Sequence, residues 1–133
     1  MADYTIKQLD DMEAIFYGSF KKAGAELEIG AFGMNIFDMP PNAGEQYPEH
    51  NHDHDSQEEV YVVLKGSGRI VLDGEEIPVD SETVVRCGPD VKRKIFSGDE
   101  GLRMLAIGGV PGQPYKRPEP FEKGAPDPTA VQS

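Results

Sequence analysis

The chain has 133 residues and carries 13 Lys and Arg against 24 Asp and Glu, a formal charge of −11; so acidic a surface repels phosphate backbones, and no stripe of basic residues forms, which sets nucleic acid aside as a partner. No apolar run approaches the ~18 residues of a membrane span and no apolar leader-like segment follows Met1, so a cytoplasmic protein with no membrane partner is expected. The single Cys87 excludes an internal disulfide, and the length predicts one domain able to bury its own core.

Residues 1–30 read as an N-terminal segment, with a short strand at residues 4–9 and a short helix over residues 20–27 that Gly24 weakens. Residues 31–39 form a strand stopped by Pro40 and Pro41, because a proline pair donates nothing to a ladder. Residues 60–64 are apolar on both faces, the pattern of a central or covered strand. Gly66, Ser67 and Gly68 mark a turn or bulge, residues 69–72 a strand, and Asp73-Gly74 a two-residue hairpin turn. The return strand at residues 76–79 contains Pro78 and therefore belongs at an edge. Further strands follow at residues 83–87, 91–96 and 102–107, separated by Gly88-Pro89-Asp90 and by residues 97–101. Short strands punctuated by Gly, Pro and Asp specify a sandwich or barrel. From Pro111 onward the chain holds six of its 11 prolines and little periodic hydrophobicity. Residues 111–133 therefore read as an extended arm or tail, which Tyr115 and Phe121 can dock on the barrel or on a neighbouring subunit.

The histidines of the chain, His50, His52 and His54, stand at alternate positions just ahead of Glu58 and Glu59. In extended chain, alternate side chains share a face. Imidazoles on one face with a carboxylate suit a divalent Fe, Mn, Ni, Cu or Zn ion. The plain alternative is a polar loop whose histidines alternate by chance. For Cys87 the plain reading, a small buried residue, is the stronger one, since no histidine lies outside the cluster to activate it.

Gly44, five residues, His50-Asn51-His52, then Glu59, six residues and Gly66 resembles the first signature of the cupin superfamily, G-x5-H-x-H-x3–4-E-x6-G. The resemblance implies an all-β, double-stranded β-helix or jelly roll over residues 31–110, with a metal site inside the barrel mouth. Homodimers are common in that family, so a second copy is an expected partner, and so is a small-molecule ligand. His52 and Glu59 are separated by six residues, more than the signature carries, which His52, His54 and Glu59 would satisfy at the expense of Gly44. The preferred metal ligands are His50, His52 and Glu59, with His54 as substitute or fourth ligand. Glu59 keeps the signature's spacing and shares a face with Tyr61 and Val63, making Tyr61 a candidate for contact with substrate; its alternative is a core tyrosine with a satisfied hydroxyl.

The second cupin signature, G-x5-P-x-G-x2-H-x3-N, falls on Glu82, Gly88, Asp90, Arg93 and Ser97, so Arg93 occupies the place of the remaining histidine ligand. A guanidinium stays protonated and does not ligate a metal in the ordinary way. Three roles are open to it: binding an anionic substrate group, pairing with Glu59 in a metal-free barrel, or lying on a solvated face with Lys92 and Lys94. The implied functions are a metal-dependent dioxygenase or isomerase of small molecules, or a non-catalytic barrel that binds a small metabolite.

Overall fold

The computed structural model describes residues 2–45 and 47–128 and is built of antiparallel strands. In chain order these are β1 (Ala14–Ile15), β2 (Phe20–Lys21), β3 (Gly33–Met39), β4 (Glu58–Leu72), β5 (Glu75–Val79), β6 (Val84–Cys87) and β7 (Arg93–Gly109), with one short helix, α1 (Ala23–Glu26). The hydrogen-bonded order is β1-β2-β3-β7-β4-β5, and β6 pairs with the first half of β4 while β5 pairs with its second half. The chain is an all-β jelly roll, the form that the cupin resemblance implies for the sandwich or barrel read from its strand punctuation.

Strands β4 and β7 carry the architecture because each crosses the barrel from one end to the other. Glu58 to Gly66 pair with Gly109 to Leu102, and Gly68 to Leu72 pair with Ser97 to Arg93. Between the two halves the ladder slips at Gly66, where the strands bend as bulges do. Gly66 has φ +80°, and a Cβ there would lie 2.2 Å from the carbonyl oxygen of Gly101. The sequence reads two strands in each of these segments because Gly66-Ser67-Gly68 and residues 97–101 have turn composition; in the structure each segment remains one bent strand.

Other expectations meet the structure more directly. Residues 60–64 lie in the middle, with β6 on one side and β7 on the other. Asp73 and Gly74 turn with φ +48° and +87°, and the proline strand β5 pairs with β4 alone. At the N-terminus the expectation fails. Residues 4–9 form no ladder, and Tyr4 and Ile6 are exposed; alternation alone does not make a strand where no partner edge is in reach. The helix is also shorter than residues 20–27, because its first residues pair as β2 with β3.

Inside the barrel, Met39, Tyr61, Val63, Ile70, Ile95, Leu102 and Met104 form one buried cluster. Each such side chain stabilises the fold by ~1.5–3 kcal/mol relative to exposure. A second cluster of Met12, Ala23 and Ile36, joined by Leu9, Met34 and Leu105, seals β3 and β7 from outside. This N-terminal cover stops short of β4 and β6, and Leu64 and Val84 remain 48% and 67% exposed.

The β1–β2 turn is held in an unfavourable conformation. Phe16 and Tyr17 have φ of +53° and +61°, a region that costs a bulky residue ~1–3 kcal/mol. The C-terminal arm ties it down, since the Phe16 amide donates to Asp127 Oδ1 at 3.2 Å. Lys22, with no exposed surface, donates from Nζ to Glu13 (2.5 Å) and to the carbonyls of Glu122 (2.7 Å) and Ala125 (3.3 Å). Arg117 adds bonds to the carbonyls of Ile29 and Gly24. A buried ammonium needs such partners. The arm is therefore docked on its own barrel, and Phe121 stacks on Phe20 with centroids 5.0 Å apart. No helix among the described residues is long and apolar enough to cross a membrane.

Candidate metal centre

A short bridge between His50 and Arg93 anchors the site. The His50 amide donates to the Arg93 carbonyl at 3.0 Å, and the Arg93 amide returns a bond to the His50 carbonyl at 2.8 Å. Directly opposed residues in an antiparallel pair project to the same side. The next ligand candidate is fixed by a bond from the His52 amide to the Pro89 carbonyl at 2.7 Å. The long spacer then closes on itself: the Asp55 and Ser56 amides both donate to the His52 carbonyl, with Ser56 at φ +59°. This turn absorbs the additional residues and delivers the chain to Glu59 on β4.

The result is that His50, His52 and Glu59 offer ligand atoms all within 4.8 Å of one another. Glu59 Oε1 lies 3.1 Å from His52 Nε2 and 4.0 Å from His50 Nε2. His54 is brought elsewhere. Its side chain is 74% exposed, lies 3.4 Å from Asp55 and groups with His52 and Asp55 instead of with Glu59.

Asp55 orients the site without belonging to the preferred ligand set. Its Oδ1 is 3.0 Å from His52 Nδ1, and the other oxygen accepts from Gln57 Nε2 at 2.8 Å. A proton on Nδ1 directed at Asp55 leaves the Nε2 lone pair turned toward Glu59. The 3.1 Å separation is within hydrogen-bonding range, yet no aligned bond forms, and Nε2 is buried and unpartnered among the described residues. Two lone pairs at this distance repel unless a proton or a cation lies between them. The donor set of two imidazoles and one carboxylate fits a borderline divalent cation.

The charges respond accordingly. Burial pushes the Glu59 carboxyl up, but His52, the Tyr61 hydroxyl and the Arg93 guanidinium outweigh it and hold the group at about 2. Burial lowers His52, and the carboxylates of Glu59 and Asp55 beside it raise it further than burial lowers it. For His50 burial prevails and favours the neutral imidazole, the form that ligates.

Arg93 has no exposed surface, which overturns the solvated-face reading of it. Its Nη2 donates to Glu59 Oε1 at 3.2 Å and its Nε to the Tyr61 hydroxyl at 3.1 Å, while Nη1 reaches the carbonyls of Val91 (2.5 Å) and Gly88 (3.4 Å). Tyr61 in turn donates to Glu59 Oε1 at 2.6 Å. The tyrosine is thus a core residue with a satisfied hydroxyl, as its plain reading holds. Both residues also line the cavity that opens above the cluster.

That cavity has a volume of about 360 Å³, and much of its wall is aromatic. Phe16, Phe20, Phe37, Tyr47 and Phe121 line it, as does Asn35, whose side-chain amide makes no hydrogen bond among the described residues. Sequence reasoning missed this wall. The alternation along β3 places Asn35 and Phe37 on one face, but nothing local ties Phe16 or Phe121 to it. Asp55 was legible only as a loop charge, although three residues of separation in a turn is a spacing that lets it reach His52.

The cupin domain family matches residues 35–108. Among solved structures, a cupin protein from Bacteroides fragilis is 25% identical over 100% of both chains, with a TM-score of 0.67. A sugar phosphate isomerase from a cupin superfamily, from Silicibacter pomeroyi, is 18% identical over 78% of this chain and 74% of its own, with a TM-score of 0.62. A predicted oxalate decarboxylase from Thermotoga maritima is 21% identical over 60% and 68%, with a TM-score of 0.53. The last two likenesses are of fold. No curated protein matches the chain.

Proposed function

Because the chain belongs to the cupin domain family, we propose that it is a metal-dependent, small-molecule cupin whose ion is held by His50, His52 and Glu59. The observation that carries this reading is the convergence of those three ligand atoms with His52 Nε2 buried, oriented and unpartnered. A divalent Fe, Mn, Ni, Cu or Zn ion there supplies Lewis acidity and open positions for a ligand oxygen. Asp55 holds the His52 ring, and Tyr61 and Arg93 hold the Glu59 carboxylate.

With Arg93 answering Glu59, a divalent ion leaves the centre with its charge uncancelled, which draws an anionic or oxygen-rich group. Four of the five guanidinium N–H groups are committed, and the remaining Nη2 proton is the one Arg93 can offer to such a group. Among the described residues, no serine, threonine, lysine or cysteine lines the cavity. That composition favours dioxygenation or isomerisation at the ion over acyl transfer from a side-chain nucleophile. A second reading, a metal-free binding module, draws on the mutual neutralisation of Glu59 and Arg93.

Metal content separates the two. Protein prepared without added metal or tag nickel is expected to carry about one ion per chain, to lose it in His50→Ala/His52→Ala and to keep it in His54→Ala. Uptake should weaken as the pH falls, because a proton competes for the raised His52. Wild type that arrives empty and takes up none of Fe, Mn, Ni or Zn leaves the binding module standing. Retention by the double variant with loss in His54→Ala would move the ion to the outer histidine. We infer also that a second copy of the chain covers the exposed Leu64 and Val84 of the outer sheet face.

A further inference from the structure

We propose that the cavity binds a single-ring aromatic molecule bearing an oxygen-donor head, with the ring enclosed by Phe16, Phe20, Phe37, Tyr47 and Phe121. The head rests on the ion-holding reading of His50, His52 and Glu59; the ring does not.

The enclosing rings already meet one another in the geometry aromatic groups prefer. Phe16 and Phe20 are 5.5 Å apart at 77°, Phe20 and Phe37 5.0 Å at 89°, and Phe16 and Tyr47 6.4 Å at 69°. A further ring packed against them from the cavity continues an edge-to-face cluster. Tyr47 contributes its ring, with its hydroxyl bonded to Ser19 Oγ. A cavity of roughly 150 Å³ suffices for benzene, so about 360 Å³ holds a ring with its substituents.

The box is also held together at a cost that core packing alone does not require. Phe16 is presented from a left-handed turn that the arm ties down through Asp127. Such outliers cluster at ligand clamps. Phe121 is brought from the far end of the chain by the bonds of Lys22 and Arg117. Phe16, Phe20 and Phe121 all lie outside the span matched by the family, residues 35–108, so this wall is supplied by the segments that flank the family's barrel.

Of the polar groups in the lining, His50, His52 and Glu59 converge on one point, and Asn35 shares a row of the sheet with Tyr61 across Ala106. A sugar phosphate would set several hydroxyls against carbon walls and leave them unpaired. A two-carbon diacid would leave most of the cavity unfilled. A phenolic acid matches both ends.

Calorimetric titration of zinc-loaded protein with salicylate and with 3-hydroxypropanoate, which carries the same hydroxy-acid head without a ring, tests this. Salicylate is expected to bind about ten-fold tighter or better. Phe121→Leu and, on β7, Ala106→Met should each weaken salicylate about five-fold with zinc affinity unchanged. Thermal melts confirm that each variant is folded. Equal affinity for the two acids, or salicylate binding untouched in both folded variants, overturns the ring site while zinc retention preserves the metal reading. Where zinc does not bind, phenol titrated into metal-free protein decides: phenol binding weakened by either variant keeps the ring site and removes the ion, and no phenol binding overturns the ring site.

Discussion

A guanidinium with no exposed surface needs its charge answered, and Arg93 has Glu59 at 3.2 Å and Tyr61 at 3.1 Å to answer it. Removing one member of a buried pair leaves the other uncompensated and costs ~3–5 kcal/mol. Arg93→Met should therefore destabilise the metal-free protein by about that much in urea unfolding, and Glu59→Gln/Arg93→Met should recover a large part of the loss. Glu59 also sets an acid limit. Its folded value of about 2 lies below the ordinary 4.5, so its contribution is complete above pH 4.5 and is lost as the pH falls toward 2. At ~1.4 kcal/mol per pH unit this is worth roughly 3 kcal/mol. The stability difference between wild type and Glu59→Gln should shrink by that order across the window, and a difference that stays constant would show that Glu59 is not held this way. At this scale the sequence is legible where partners are close in the chain, as His50, His52 and Glu59 are. It is silent where they are not: whether Arg93 faces Glu59 or solvent depends on the register of β7 against the histidine loop, which no local pattern specifies.

The strands show the same division between local and distant causes. Turn composition at Gly66-Ser67-Gly68 reads correctly as a place where the chain departs from a straight ladder. What composition does not carry is the partner, and here β7 bends in step with β4 so that both strands continue through the corner. The glycine at that corner is there for two reasons that substitution can separate. Gly66 and Gly74 both have positive φ, at +80° and +87°, but a Cβ on Gly74 meets nothing within 4 Å, whereas on Gly66 it strikes the Gly101 carbonyl. Gly74→Ala should cost only the left-handed penalty of ~1–2 kcal/mol. Gly66→Ala adds displacement of a backbone it cannot push aside, and should cost about 3 kcal/mol or more in the same urea titration. Equal losses at the two positions would mean that the corner is free to open.

On the scale of the whole molecule, the N-terminal segment and the C-terminal arm divide the outer surface unequally. Met12, Leu9 and Ala23 cover Ile36, Met34 and Leu105, and the arm closes over Phe20. The apolar pattern of residues 60–64 predicts that the outward face of β4 is covered too, by the N-terminal segment or by a second subunit. The N-terminal segment does not reach it: Leu64 and Val84 stay 48% and 67% exposed, beside the half-buried Val60 and Val62. Side chains of this kind on the paired strands β4 and β6 form a continuous apolar strip, and a two-fold dimer buries such a strip against itself. Light scattering is expected to give twice the mass of the chain. Val84→Glu places like charges against each other across the two-fold axis and should yield a monomer, while its exposure in a single chain keeps the effect on folding within about 0.5 kcal/mol. A wild type that scatters as a monomer at high concentration would leave this face bare. A dimer untouched by Val84→Glu would place the contact elsewhere, and the exposed N-terminal residues Tyr4 and Ile6 would then be the surface to substitute next.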